Sequence, residues 1–310
     1  MVRSIEALTR GLIDYAGLFP PAQLDMAPAV ERYARYLHRP EASMLGRFIC
    51  PASRLDELSE AAAALMPGTF ATSGYREYAD TTEPWRVSVV ADLGLAKSLD
   101  AMDAFGARHS EEDAGLARAD TVELRSPKPS EIDAAIDEIP DDVAGFFEIP
   151  WEGDTRGYAA ALAGDECFAK IRCGGVTADA FPSVEQIAEF LVTAAQARVA
   201  FKATAGLHHP VRAEYALTYE DGAPRGVMHG FVNVFLAAAF AKAGAGREAL
   251  VDVLSETDPA AFSFTDDHAA WKDHKIATDD LADARSRFAL SYGSCSFEEP
   301  IDDLRGLGWL

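Results

Sequence analysis

The chain has 310 residues, 49% of them hydrophobic and 25% charged, which is enough to bury a core without disulfides or metals. Fifty Asp and Glu stand against 28 Lys and Arg, and a net charge of −22 repels nucleic-acid phosphates, so nucleic acid is excluded as a partner class. No apolar run reaches the roughly eighteen residues of a membrane span. Residues 1–6 lack the apolar stretch of a signal peptide, and Cys50, Cys167, Cys173 and Cys295 follow no metal or redox spacing. These features read as a cytoplasmic protein with free thiols and no membrane contact.

Short apolar runs alternate with amphipathic stretches, the pattern of βα units that build a parallel sheet. The first run covers 12–19, and a helix over 26–37 puts Val30, Ala34 and Leu37 on one face. The second run, 47–50, stops at Pro51, after which Leu55, Leu58, Ala62 and Leu65 recur at helical spacing. A β-branched third run, 86–92, leads into a helix reaching about residue 107. The fourth run is 121–125, and Ser130 is placed to cap a helix carrying Ile132, Ile136 and Ile139. The fifth, 145–149, closes at Pro150. The sixth, 167–172, runs into Gly174-Gly175, and Ser183-Val184-Glu185-Gln186 spells a capping box. The seventh is 199–204. A long excursion over 205–228 precedes an apolar helix at 231–243. The eighth run is 261–265, followed by a helix over 279–290, and 291–310 reads as an irregular tail.

Eight such units predict a single domain over residues 1–310, an α/β fold of the (β/α)8 TIM-barrel class. It would carry an extended loop after strand seven and the irregular C-terminal tail. An open doubly wound sheet shares the local pattern, but strand count favours the barrel. Neither a dinucleotide-binding glycine fingerprint nor a P-loop occurs in the sequence.

Polar residues gather late in the strands: Asp14 and Tyr15, Asp92, Glu123 and Arg125, Glu148, Lys170 and Arg172, Lys202 and Thr204, and Asp266 with Asp267. Ligands bind at that end of a barrel, and each such group would cost several kcal/mol to bury unpaired. The plain alternative is strand-end salt bridging. Lys170 and Lys202 lie inside apolar strands one βα unit apart. Lost hydration and a second cation would lower a lysine pKa there, and a neutral amine can form a Schiff base. Gly174, Gly175 and Gly206 follow the two lysines and offer backbone N–H groups to a phosphate or carboxylate.

The segment Phe168-Ala169-Lys170-Ile171-Arg172-Cys173-Gly174-Gly175, together with Phe201-Lys202-Ala203-Thr204-Ala205-Gly206, resembles strands six and seven of class I aldolases of the deoxyribose-phosphate aldolase type. The likeness covers about forty residues. It implies Lys170 as the Schiff-base residue and Lys202 as the second lysine that tunes it, in a lyase that needs no cofactor. Ile171-Arg172-Cys173 takes the place where that family has small and hydroxyl residues.

On this reading the chain is an aldolase-like lyase or isomerase for a small, anionic carbonyl compound. Lys170 or Lys202 forms the imine, Glu123 or Glu148 moves the proton, and Arg125 or Arg172 grips the anion. Asp14, Thr204 and the three glycines complete the substrate set. A second reading is a divalent-metal lyase or hydrolase using Asp92, Glu123 and Glu148 with His208 or His209. A third is a barrel that only binds a small molecule. The 205–228 loop is expected to cover the pocket and bring His208 or His209 to the strand-end carboxylates. Alternatively Tyr215, Leu217 and Tyr219 on it could serve a contact in a homo-oligomer.

Overall fold

The fold was obtained as a computed structural model that describes residues 1–68, 83–110, 114–125, 128–164 and 167–310. Seven barrel strands lie close to the predicted runs: β1 (Ile13–Tyr15), β2 (Leu45–Pro51), β3 (Trp85–Val90), β4 (Ala117–Arg125), β5 (Ala144–Ile149), β6 (Phe168–Arg172) and β7 (Phe201–Thr204). They pair in parallel in chain order. The eighth stave of the barrel is Ala289–Ser294, which pairs with Phe201–Thr204 on one side and Ile13–Tyr15 on the other. The protein is therefore a closed (β/α)8 barrel.

The predicted eighth run is not in the barrel. Phe262–Phe264 (β10) pairs antiparallel with His268–Trp271 (β11), which pairs with His274–Ala277 (β12), in a separate sheet. The true eighth strand, β13 (Ala289–Ser294), has small and hydroxyl residues rather than a β-branched run. Its packing dictates that choice: a Cβ on Gly293 would stand 3.1 Å from Ile49 Cδ1 and 3.2 Å from Thr204 Oγ1. Tertiary context overrides the weak local strand signal. The C-terminal region is not irregular either, because a helix, Glu298–Gly306, follows that strand.

Helices connect the strands and flank them at both ends: α1 (Arg3–Thr9) before β1, then α2 (Met26–Tyr36), α3 (Leu55–Ala62), α4 (Leu95–His109), α5 (Pro129–Ile136), α6 (Arg156–Leu162), α7 (Val184–Ala197), α8 (Phe231–Lys242), α9 (Arg247–Ser255) and α10 (Thr278–Arg287), with α11 (Glu298–Gly306) after β13. The capping box on α7 forms as predicted, Ser183 Oγ accepting from the Gln186 N–H and Gln186 Oε1 from the Ser183 N–H. Ser130 does not cap; α5 begins at Pro129 with Lys128 at its N-cap and no side-chain capping bond. Helix α8 is apolar on every side and almost wholly buried, since α7, α9 and α10 all pack against it. Among the described residues no helix is long and apolar enough to cross a membrane.

Residues 205–228 hold a two-stranded hairpin, β8 (Ala213–Ala216) with β9 (Arg225–Met228). It is tied to the barrel: Leu217 is buried, the Tyr215 ring stacks on His209 at 3.5 Å, and Tyr219, though exposed, donates its hydroxyl to Glu299 at 3.0 Å. These three residues, the ones suited to an intersubunit contact, thus make contacts within the chain.

Candidate active site

Strands end at the mouth of the barrel around a cavity of about 770 Å3. Its lining includes Asp92, Glu123, Arg125, Glu148, Lys170, Arg172, Gly175, Thr204, Gly206, His208 and Cys295. Strand register explains much of this convergence. Arg125 is paired with Glu148, Glu148 with Lys170, and Lys170 with Lys202, so one row of residues crosses four neighbouring strands.

Beneath the mouth the charges form a continuous chain. Lys202 Nζ donates to Asp14 Oδ2 and to Glu123 Oε1, both at 2.7 Å. Lys170 Nζ lies 2.9 Å from Glu123 Oε2 and 3.0 Å from Glu148 Oε2. Glu148 Oε1 in turn faces Arg172 at 3.5 Å and Arg125 at 3.7 Å. The predicted quartet Lys170, Lys202, Glu123 and Glu148 is therefore one network, joined by Asp14.

Two hydroxyls and one amide finish it. Ser88 Oγ donates to Glu123 Oε1 at 2.6 Å, Ser291 Oγ to Asp14 Oδ2 at 2.8 Å, and the Arg47 N–H to Asp14 Oδ1 at 2.8 Å. Gly46 is required for the last of these, because a Cβ there would stand 2.2 Å from Asp14 Oδ1. The Phe146 ring lies under the Lys202 ammonium, 5.4 Å from Nζ to centroid.

The electrostatics separate the members. Burial alone would push the Glu123 carboxyl upward, but Lys202 and Lys170, with the bonds from Lys202 and Ser88, hold it far below the usual glutamate range. Glu148 is likewise held low against burial by Lys170 and then Arg172. Lys202 departs from the prediction of a lowered lysine. Burial does work downward on it, yet Asp14 and Glu123 outweigh burial and keep the ammonium above its ordinary value. Lys202 is thus a fixed cation, sealed from the cavity, with a side chain 1% exposed. Lys170, at 9%, lines the cavity and is the lysine a small molecule can reach.

The remaining predicted residues divide. Tyr15 is core, packed among Tyr33, Tyr36 and Phe48. Asp266 and Asp267 fall in the β10–β11 turn, where Asp266 accepts from the Arg3 N–H, because the run before them is not a barrel strand. Gly174 and Gly206 serve loop packing: a Cβ on Gly174 would lie 2.8 Å from the Gly206 Cα. Ala205 and Gly206 both adopt positive φ, +59° and +68°, turning the backbone sharply at the rim.

Asp92, Glu123, Glu148 and His208 of the alternative metal set share the cavity wall but are not clustered as ligands. Both Asp92 oxygens accept from Ser53, His208 Nδ1 is 3.1 Å from Glu299 Oε2, and His209 Nδ1 is 2.6 Å from Asp303 Oδ2. Among the described residues no cluster of three or more His, Cys, Asp or Glu could hold a metal ion. His208 does reach the pocket as expected of its loop, but its carboxylate partner sits on α11 rather than at a strand end. Cys295 also lines the cavity, and burial pushes its thiol above the ordinary range, which disfavours a thiolate.

Sequence reasoning missed Ser88 and Glu299, and it read Ser291 as part of the irregular tail rather than as a partner of Asp14. A serine in a strand carries no charge to betray it, and Glu299 lies in the stretch read as an irregular tail. Compared with family models, curated proteins and solved structures, the chain finds no match.

Proposed function

We propose that the chain is an aldolase-like lyase or isomerase that binds a small anionic carbonyl compound and holds it as an imine on Lys170. The observation that carries this is the contrast between the lysines. Lys170 lines the cavity and holds its Nζ between two carboxylates, while Lys202 is locked behind it as a permanent cation.

In this scheme a carbonyl carbon approaches Lys170. The ammonium gives a proton to Glu148 Oε2, 3.0 Å away, and the freed amine attacks. Glu148 returns that proton to the carbinolamine hydroxyl, which leaves as water, and the resulting iminium draws electrons from the neighbouring carbon, permitting C–C cleavage or a proton shift. Lys202 holds Glu123 in place so that Lys170 keeps one orientation. Arg172 and Arg125, both in the cavity wall, match an anionic substituent on the far side of Glu148. The resemblance to deoxyribose-phosphate aldolases supports the same assignment of the two lysines.

Borohydride reduction in the presence of acetaldehyde, acetone, hydroxyacetone and pyruvate, read by peptide mass spectrometry, tests the proposal. A reduced adduct on Lys170, absent from Lys170→Met, is expected. Adducts only on surface lysines, or none with any of the four, would overturn it.

A further inference from the structure

Imine chemistry needs a group that moves a proton on the substrate carbon, and the two glutamates are poorly placed for it. Glu123 has both oxygens engaged, by Lys202 and Ser88 on one side and Lys170 on the other, and its side chain is 1% exposed. Glu148 Oε2 is committed to Lys170 and Oε1 faces two guanidinium groups. Asp92 spends both oxygens on Ser53.

His208 differs from all three. It is the single histidine among the described residues of the cavity wall. Its Nδ1 is held by Glu299 Oε2 at 3.1 Å, and Nε2 has no partner among the described residues. The holding carboxylate is itself fixed, since Tyr219 donates to the same oxygen at 3.0 Å and His209 Nε2 lies 3.8 Å from the other. A carboxylate on Nδ1 sets the tautomer and leaves Nε2 as the working nitrogen. The groups facing this imidazole are thus Glu299 and, around it, Tyr219, His209 with its partner Asp303, and Cys295 beside the Tyr219 hydroxyl.

We infer that His208 is the proton-transfer residue of the site and that Glu299, on the C-terminal helix, is its positioning residue. The inference rests on the imine reading at Lys170. Once the iminium has formed, Nε2 takes a proton from the carbon next to the former carbonyl carbon. The C–H electron pair becomes the enamine double bond, and the iminium π pair returns to the Lys170 nitrogen. The imidazolium then returns the proton, or a solvent deuteron, to the same carbon.

The test uses pyruvate and acetone, the smallest anionic and neutral ketones with exchangeable methyl protons, in D2O, with loss of the methyl signal followed by proton NMR. Borohydride trapping is run beside it on the same samples. His208→Gln is expected to keep the Lys170 adduct and to exchange about 100-fold more slowly or worse. Glu299→Gln is expected to keep the adduct too and to slow exchange, with Glu299→Asp, which restores a carboxylate to Nδ1, recovering part of the rate. Trapping intact with exchange unchanged in His208→Gln overturns the inference and leaves the imine reading standing. So does exchange that fails instead in Asp92→Asn while the Lys170 adduct is kept. No adduct in the wild-type chain fails the imine reading itself, and the inference with it.

Discussion

Lys170 and Lys202 stand opposite each other on neighbouring strands and share Glu123, yet they sit in different settings. Around Lys202 every acceptor is fixed from more than one side, by Ser291, Ser88 and the Arg47 amide, over a phenylalanine ring. Around Lys170 the second carboxylate is held by two arginines that reach toward solvent, with side chains 39% and 79% exposed. One lysine is built into the protein interior and the other into its cavity wall. The difference shows how a barrel can present a buried-type charge to a ligand: the inner pair bears the cost of burial, and the outer lysine inherits a fixed position.

The largest effect should follow from emptying the inner half. Lys202→Met would leave Asp14 without a bonded cation and Glu123 with only Lys170. Removing one partner of a buried pair costs about 3–5 kcal/mol, and urea unfolding should show a loss of that size. A loss below about 1 kcal/mol, the range of an exposed pair, would mean that the inner charges are solvated, and the contrast between the halves would fail.

Glu123→Gln, also near 3 kcal/mol at neutral pH, adds a pH signature. The folded carboxyl sits below its reference value of 4.5, so its contribution is complete above that pH. It is lost progressively as pH falls from there toward the folded value. The stability gap between wild type and Glu123→Gln should therefore narrow on acidification. Lys202 behaves oppositely. Its folded value is raised above 10.5, so its contribution is complete below that pH and disappears only as alkali passes the folded value. A gap for Glu123→Gln that widens on acidification would contradict a carboxyl held low by its two lysines.

Lys170→Met should cost less, about 1–3 kcal/mol, because both of its carboxylates keep another cation: Lys202 for Glu123, and Arg172 with Arg125 for Glu148. Its effect on adduct formation should instead be total. Equal destabilisation by the two lysine substitutions would put them in one environment and remove the distinction on which the proposed function stands.

Much of this is legible in the sequence for one physical reason. A charge inside an apolar strand is expensive, so Lys170, Lys202, Glu123, Glu148 and Asp14 announce themselves by position alone. Seven of the eight strands are visible because their runs are apolar and end at glycine, proline or a charged residue. The eighth is hidden because its job is to present small groups to the barrel interior, and Ser291, Tyr292, Gly293 and Ser294 read as part of an irregular tail without their neighbours. Glu299 is lost with it, for a tail read as irregular offers no surface on which to place a side chain. The lysine pKa is misjudged for a related reason. Apolar flanks are written in the sequence beside Lys202, whereas Asp14 arrives from 188 positions away.

The smallest expected effects probe whether the inner half is one unit. Ser291→Ala removes a donor from Asp14, and Ser88→Ala removes one from Glu123. Each should cost about 1–2 kcal/mol, since a hydrogen bond to a charged group is lost. The two serines do not bond to each other; what they share is Lys202, which donates to both of their carboxylates. If Lys202 couples them, the first substitution lets its carboxylate and the ammonium readjust, and the second then acts on an altered centre. The double variant should deviate from the sum of the singles by at least about 0.5 kcal/mol, the scale on which contacting networks depart from additivity. Denaturant midpoints for wild type, both singles and the double supply that number. Strict additivity would show that Asp14 and Glu123 hold Lys202 independently. The sealed centre would then be two separate pairs, and its stiffness could not be what fixes Lys170.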